Sequence, residues 1–182
     1  AVSVGEKAFQ ELGADTCMNH LLNSPANFTA SKLKWVRDNE PDIYQKTYKY
    51  MLPGDFIAYK FSGDMTTTVH GLSEGTLWDF KTHQTANFLL EHYGLGTDLT
   101  PEIVSNFSVQ GRLHQQAAQE TGLAVGTPIC YRAGDQPNNA FALHVMHPGE
   151  VAATGGTSGV VYALTDKKTS KEPERINHFA HV

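Results

Sequence analysis

The stretch from Thr127 to Leu164 constrains this chain more than any other. An apolar extended run, a Gly134-Asp135-Gln136 turn, a helical pattern and a glycine-rich turn follow one another within it. Thr127-Pro128-Ile129-Cys130-Tyr131-Arg132-Ala133 reads as a strand running into Gly134-Asp135, and Asn138 to Val145 as a helix with Phe141 and Val145 four apart. His147-Pro148-Gly149 breaks that helix. Glu150 to Thr154 and Val160 to Leu164 then flank Gly155-Gly156-Thr157-Ser158-Gly159 as the two strands of a hairpin. A strand end is where α/β proteins place their chemistry.

Upstream, helical patterns dominate. Glu6 to Gly13 reads as a short helix, followed by a polar turn at Asn23-Ser24-Pro25-Ala26-Asn27. Thr29 is placed to cap the next helix, with Leu33 and Val36 on one face, and Glu40-Pro41 ends or kinks it. Pro53 opens another, Asp55 favours its positive end and Gly63 closes it, with Ile57 and Phe61 facing inward. Thr66 to Gly71 is loop or short strand. Ala86, Leu89, Leu90 and Tyr93 carry helical spacing, so Gln84 to Tyr93 is expected as a helix stopped by Gly94. Leu113, Ala117 and Glu120-Thr121-Gly122 describe another helix, and the terminal Phe179-Ala180-His181-Val182 is strand-like.

Composition excludes several classes. The 182 residues, 40% hydrophobic, suffice for a real core. Fourteen Lys and Arg stand against nineteen Asp and Glu, and the basic residues are scattered, so nucleic acid is not an expected partner. Cys17 and Cys130 lie far apart without metal or redox spacing, which fits a reducing, cytoplasmic setting. No apolar run approaches the roughly 20 residues a bilayer span needs, so no membrane association is expected. The start at Ala1 and the apolar end give the expectation of an internal piece of a longer chain.

Asp135 is a proton acceptor at the end of an extended segment; read plainly, it caps a helix. The glycine turn lacks the spacing and lysine of a Walker loop, and such tips mostly turn the chain. Its functional reading is that glycines let successive N–H groups converge on an anion, with Thr157 and Ser158 adding hydroxyls. Taken together, the two suit phosphoryl transfer to an alcohol, which needs a carboxylate aimed at the hydroxyl proton and donors that hold phosphates. His144 and His147 have a spacing that can put two metal ligands on one helical face, yet no acidic residue stands beside them to complete a site; satisfied or surface histidines are the plainer reading, and no metal ligand is assigned.

As a set these segments resemble a known family. Phe28-Thr29-Ala30-Ser31-Lys32-Leu33-Lys34-Trp35-Val36, Asn39-Glu40-Pro41, Leu52-Pro53-Gly54-Asp55-Phe56-Ile57, Ser73-Glu74-Gly75-Thr76-Leu77-Trp78-Asp79, Gly134-Asp135-Gln136 and Gly156-Thr157-Ser158-Gly159 stand in the order found in the FGGY carbohydrate kinases, and within them most resemble the xylulose kinases. The resemblance runs from about Asn23 to Leu164. It implies an α/β fold of the actin-like, ribonuclease-H-like kind, present in part. Residues 1–146 would be the second half of the N-terminal, sugar-binding domain, and 147–182 the start of the C-terminal, nucleotide-binding one.

The same resemblance implies ATP and Mg2+ as cofactors and a small sugar as substrate; a homodimer is one assembly open to it, which the sequence itself does not fix. Asp135 would be the general base, Asp135 and Gln136 the sugar contacts, and Gly156 and Thr157 the ATP phosphate contacts. The implied reaction is phosphorylation of a ketopentose, D-xylulose first, with ribulose, gluconate or glycerol and a non-catalytic sugar-binding module as alternatives. The family's phosphate-binding Asp-Gly-Thr hairpin and adenine-binding segment are not in this sequence, so the segment alone is expected not to turn over ATP.

Overall fold

The computed structural model describes residues 1–156, 159–168 and 175–182. Helix α1 (Val2–Leu12) and α2 (Ala14–His20) meet at Gly13, whose φ of 85° explains the glycine. The polar turn follows, then α3 (Thr29–Asn39) and α4 (Pro41–Lys46). Phe28, not Thr29, holds the N-cap position of α3, and no side chain caps that end. Glu40-Pro41 separates two helices because proline, which cannot continue a helix, readily begins one.

Helix α5 (Pro53–Ser62) starts at its proline and closes on Gly63 at φ 81°, as its sequence requires. Its buried face runs through Asp55 and Ala58 to Phe61, which packs against Leu113 and Ala117. Ile57 lies about 100° around the helix from Ala58 and is 52% exposed, contrary to the inward-facing expectation.

Strand β1 (Thr66–Thr68) is fully buried and leads at once into α6 (Val69–Glu74). The Thr68 hydroxyl caps α6 by accepting from the Gly71 N–H at 3.2 Å. β2 (Trp78–Asp79) pairs antiparallel with β3 (Gln84–Thr85). Helix α7 (Asn87–His92) is therefore shorter than the Gln84–Tyr93 pattern suggests, its first residues being drawn into that pairing. Ala86, Leu89, Leu90 and Tyr93 are nonetheless all buried. Each large apolar side chain so buried contributes roughly 1.5–3 kcal/mol.

A 3-10 turn at Thr97–Leu99 leads to β4 (Glu102–Val104), which pairs parallel with β1 through Thr66–Glu102, Thr67–Ile103 and Thr68–Val104. β5 (Gly111–Arg112) and β6 (Pro128–Ile129) pair antiparallel around α8 (Gln115–Thr121), which stops at Gly122 with φ 74°. The expected strand over 127–133 thus shrinks to two ladder residues. Helix α9 (Asp135–Ala142) begins three residues before the expected Asn138, and the hairpin β7 (Val151–Gly155) with β8 (Gly159–Ala163) follows.

The main core joins α1, α3, α6 and α7 through Ala8, Leu21, Ala30, Leu72, Leu77, Leu89 and Leu90. Within it the Ser31 hydroxyl donates to the Pro25 carbonyl at 2.6 Å and shares a 2.8 Å hydrogen bond with the Tyr93 hydroxyl, tying α3 to the turn before it and to α7. A smaller cluster of Ala140, Val145 and Ala152, with Tyr162 and Leu164 against it, fastens the hairpin to α9. The segment 178–182 is not a strand. It lies across the fold through paired hydrogen bonds between Asn23 and the His178 backbone, and through the Ala180 N–H donating to Ser73 Oγ at 2.7 Å.

Candidate functional site

Asp135 is the first residue of α9, one position past an extended approach whose Arg132 and Gly134 line a cavity of about 270 Å³. Asp55 from α5, Thr68 at the end of β1, and Glu74 from α6 add polar side chains to a lining that Leu52, Pro53 and Ala133 make largely apolar. Four separate elements therefore deliver polar groups to one hollow.

Asp55 and Arg132 form its floor. Arg132 Nε stands 3.4 Å from Asp55 Oδ1, their side chains being 9% and 6% exposed. Thr67 Oγ1 donates to Asp55 Oδ2 at 2.8 Å, and Arg132 Nη2 donates to Thr66 Oγ1 at 3.0 Å. Burial drives both partners toward their neutral forms, raising the Asp55 carboxyl above its ordinary range and lowering the Arg132 guanidinium, while each charge opposes the other's shift. Arg132 Nη1 is buried with no hydrogen-bond partner.

Glu74 forms the wall nearest Asp135. Its carboxyl group overlies the backbone of Gly134 so closely that any side chain there would collide with it. Burial, and then the negative charge of Asp135, push Glu74 up to about 7. Tyr162 of β8 feels the Glu74 charge as well, after the larger effect of its own burial, so the hairpin lies within electrostatic reach of the pocket.

Of the residues singled out in the sequence, Asp135 and Gln136 stand together, with Gln136 Nε2 donating to Asp135 Oδ2 at 3.3 Å. Asp135 is exposed at the start of α9. Gly156 is exposed at the bend after β7, and the base of its hairpin is held against α9 by Ala152. Thr157 lies outside the described residues. Among the described residues, nothing lies within 4 Å of a Cβ placed on Gly155 or Gly159.

Glu74, Asp55 and Arg132 escape a reading of the sequence alone. Asp55 presents as a helix-end charge and Arg132 as one residue of a strand. Glu74 sits in the quoted Ser73-Glu74-Gly75-Thr76 segment with no local sign of what it faces. Among the described residues no three His, Cys, Asp or Glu side chains come together as a metal site, so the His144 and His147 spacing gains no further ligand. Among the described residues, too, no helix is long and apolar enough to cross a membrane.

Known proteins resemble this chain in sequence and fold. The chain is 25% identical over 168 residues to a xylulose kinase of Bacillus subtilis, covering 90% of this chain and 34% of that protein. It is 30% identical over 126 residues to an autoinducer-2 kinase of Yersinia enterocolitica, covering 69% and 24%. The crystal structure of xylulose kinase from Rhodospirillum rubrum superposes with a TM-score of 0.88 over 98% of this chain and 36% of that one; at 20% identity this shows the shared α/β fold. The chain spans about a third of the length of the curated relatives it matches first. Residues 14–142 match the family model for the N-terminal domain of the FGGY family of carbohydrate kinases, a stretch that contains α2 to α9 with Glu74, Asp135 and Gln136, and the chain accordingly belongs to that family.

Proposed function

We propose that this chain is part of an ATP-dependent carbohydrate kinase that phosphorylates a ketopentose, D-xylulose to D-xylulose 5-phosphate. The observation that carries the reading is the position of Asp135, exposed at the start of α9, next in sequence to the cavity-lining Gly134 and on the helix against which the glycine hairpin packs. Residues 1–146 belong on this reading to the sugar-binding domain, and 147–182 begin the nucleotide-binding one.

In the proposed reaction the sugar hydroxyl enters over the cavity rim and Asp135 accepts its proton. The sugar oxygen bonds to the γ-phosphorus as the bond from that phosphorus to the β,γ-bridging oxygen breaks, and ADP departs. Gln136 holds a second sugar oxygen. Backbone N–H groups around Gly156, with Thr157, orient the phosphates, so that the transfer is accelerated chiefly by alignment. Magnesium would neutralise phosphate charge in such a reaction; the described residues build no metal site of their own, and no step is assigned to it. A homodimer in the cytoplasm is the assembly and setting carried with this reading, and light scattering tests the former.

The test is a sugar panel with ATP on the complete polypeptide that carries this sequence. D-xylulose should give the highest kcat/KM, and Asp135→Asn should lower kcat by about 10²–10⁴-fold while calorimetry still detects sugar binding. Unchanged turnover in that variant removes the base role. The similarity to an autoinducer-2 kinase supports a second reading, in which autoinducer-2 replaces the pentulose as acceptor, so it belongs in the same panel with ribulose, gluconate and glycerol.

A further inference from the structure

We infer that Arg132 is a positioning residue for the proposed reaction: its buried guanidinium, spanning Asp55 of α5 and Thr66 of β1, sets where the start of α9 holds Asp135. The inference rests on the kinase reading, in which Asp135 is the general base, and deepens it. Among the described residues, 130–134 belong to no helix or strand, so no ladder of backbone hydrogen bonds fixes the run from β6 to Asp135. Side chains must fix it instead. The apolar cluster around α9 does not do so from the other end. Its Ala140, Val145 and Ala152, with Tyr162 and Leu164, share no member with the main core or with the Leu113 cluster.

Arg132 supplies the link to the body of the fold. Its side chain is 9% exposed, with Nε 3.4 Å from Asp55 Oδ1, and Nη2 donates to Thr66 Oγ1 at 3.0 Å. Its backbone N–H donates to Asn106 Oδ1 at 3.4 Å. The neighbouring Tyr131 hydroxyl donates to Asn138 Oδ1 at 3.1 Å, so the anchored run carries the first turns of α9 with it. A second tether exists, since Phe107 meets the rings of Tyr131 and Phe141 at centroid distances of 5.4 and 5.9 Å. Phe107 is 61% exposed, however, and rings that stay in water gain little from meeting. A planar guanidinium held from two elements fixes direction as well as distance. Direction is what a base three residues further on needs, because a misplacement of about 1 Å can cost on the order of 10²-fold in rate.

The experiment measures kcat of the complete kinase with ATP and its best sugar in the panel above, beside urea midpoints. Arg132→Met alone leaves the Asp55 charge buried and uncompensated, so the variant to read is Asp55→Asn with Arg132→Met, which removes both charges. It should recover a substantial part of the stability that Arg132→Met loses, yet lower kcat by roughly 10- to 100-fold. In an Asp135→Asn background the same two replacements should cost nothing further, since a group that acts through the base has no effect once the base is gone. Merely structural damage would lower kcat in both backgrounds alike. Should the pair of replacements not fold, Thr66→Val, which removes the hydroxyl that accepts from Nη2, carries the same expectation. An unchanged kcat in the folded variant, or an equal loss on top of Asp135→Asn, overturns the inference and leaves the kinase reading standing. Failure of the unaltered protein to phosphorylate any sugar overturns both.

Discussion

The carboxyl group of Glu74 occupies the space that a Cβ on Gly134 would fill. Gly134 has a φ of −67°, which any residue adopts, so glycine is needed there for room alone. The colliding atoms belong to the free end of a flexible side chain, which can swing away. Gly134→Ala should therefore cost little stability, under about 1 kcal/mol, yet displace Glu74 from the pocket wall. A denaturation midpoint close to that of the unaltered protein is the expected result; a large loss of stability would show that the glycine serves the backbone instead.

The same carboxyl gives stability a pH dependence of known sign. Its ordinary pKa of 4.5 is raised in the folded state to about 7, first by burial and then by Asp135. Between those values the folded chain holds the proton more tightly than the unfolded one, so this group makes stability fall as pH rises from 4.5 to 7. Glu74→Gln, which stays neutral, should flatten that fall. Urea midpoints for both proteins across the window measure it, and parallel curves would mean that Glu74 titrates unperturbed.

The Asp55 and Arg132 pair should respond unequally to single and double replacement. Removing the guanidinium alone, by Arg132→Met, leaves a buried carboxyl whose remaining side-chain hydrogen bond comes from Thr67. Such a change costs about 3–5 kcal/mol. The double variant Asp55→Asn with Arg132→Met removes both charges and should recover a substantial part of that loss. Chemical denaturation of the three proteins gives the coupling directly; additive effects would mean that the charges do not depend on one another.

What the sequence discloses and what it conceals follow from the range of the forces involved. The burial of Ala86, Leu89, Leu90 and Tyr93 is legible because a helix imposes its period on neighbours a few residues apart. The start of that helix is not, because Gln84 and Thr85 are claimed by pairing with Asp79 and Trp78. The stops at Gly63 and Gly122 are local and readable, with positive φ at both. The exposure of Ile57 is decided by Asp55, a polar residue drawn inward by Arg132 from 77 positions along the chain. For the same reason Asp135 and Gln136 stand out as a local turn motif, while Glu74 becomes notable only once α6 is folded against Gly134.

Gly5 offers a contrasting test, of backbone contact rather than pocket chemistry. It lies inside α1, where replacing glycine by alanine ordinarily gains about 0.5–1 kcal/mol. Here an added Cβ would collide with the Ala26 Cα and lie 2.5 Å from the Ala26 nitrogen and 2.7 Å from the Pro25 carbonyl carbon. Those atoms are backbone, in the turn that also accepts the Ser31 hydroxyl at the Pro25 carbonyl, so neither side can yield without moving α1 or the start of α3. Overpacking of this kind costs about 1–3 kcal/mol, which outweighs the gain in helix propensity. Gly5→Ala should thus lower the midpoint of thermal unfolding, whereas Gly54→Ala, where a Cβ on the first turn of α5 meets nothing within 4 Å, should hold or raise it. A stabilised Gly5→Ala protein would mean that α1 does not rest on the Pro25-Ala26 turn.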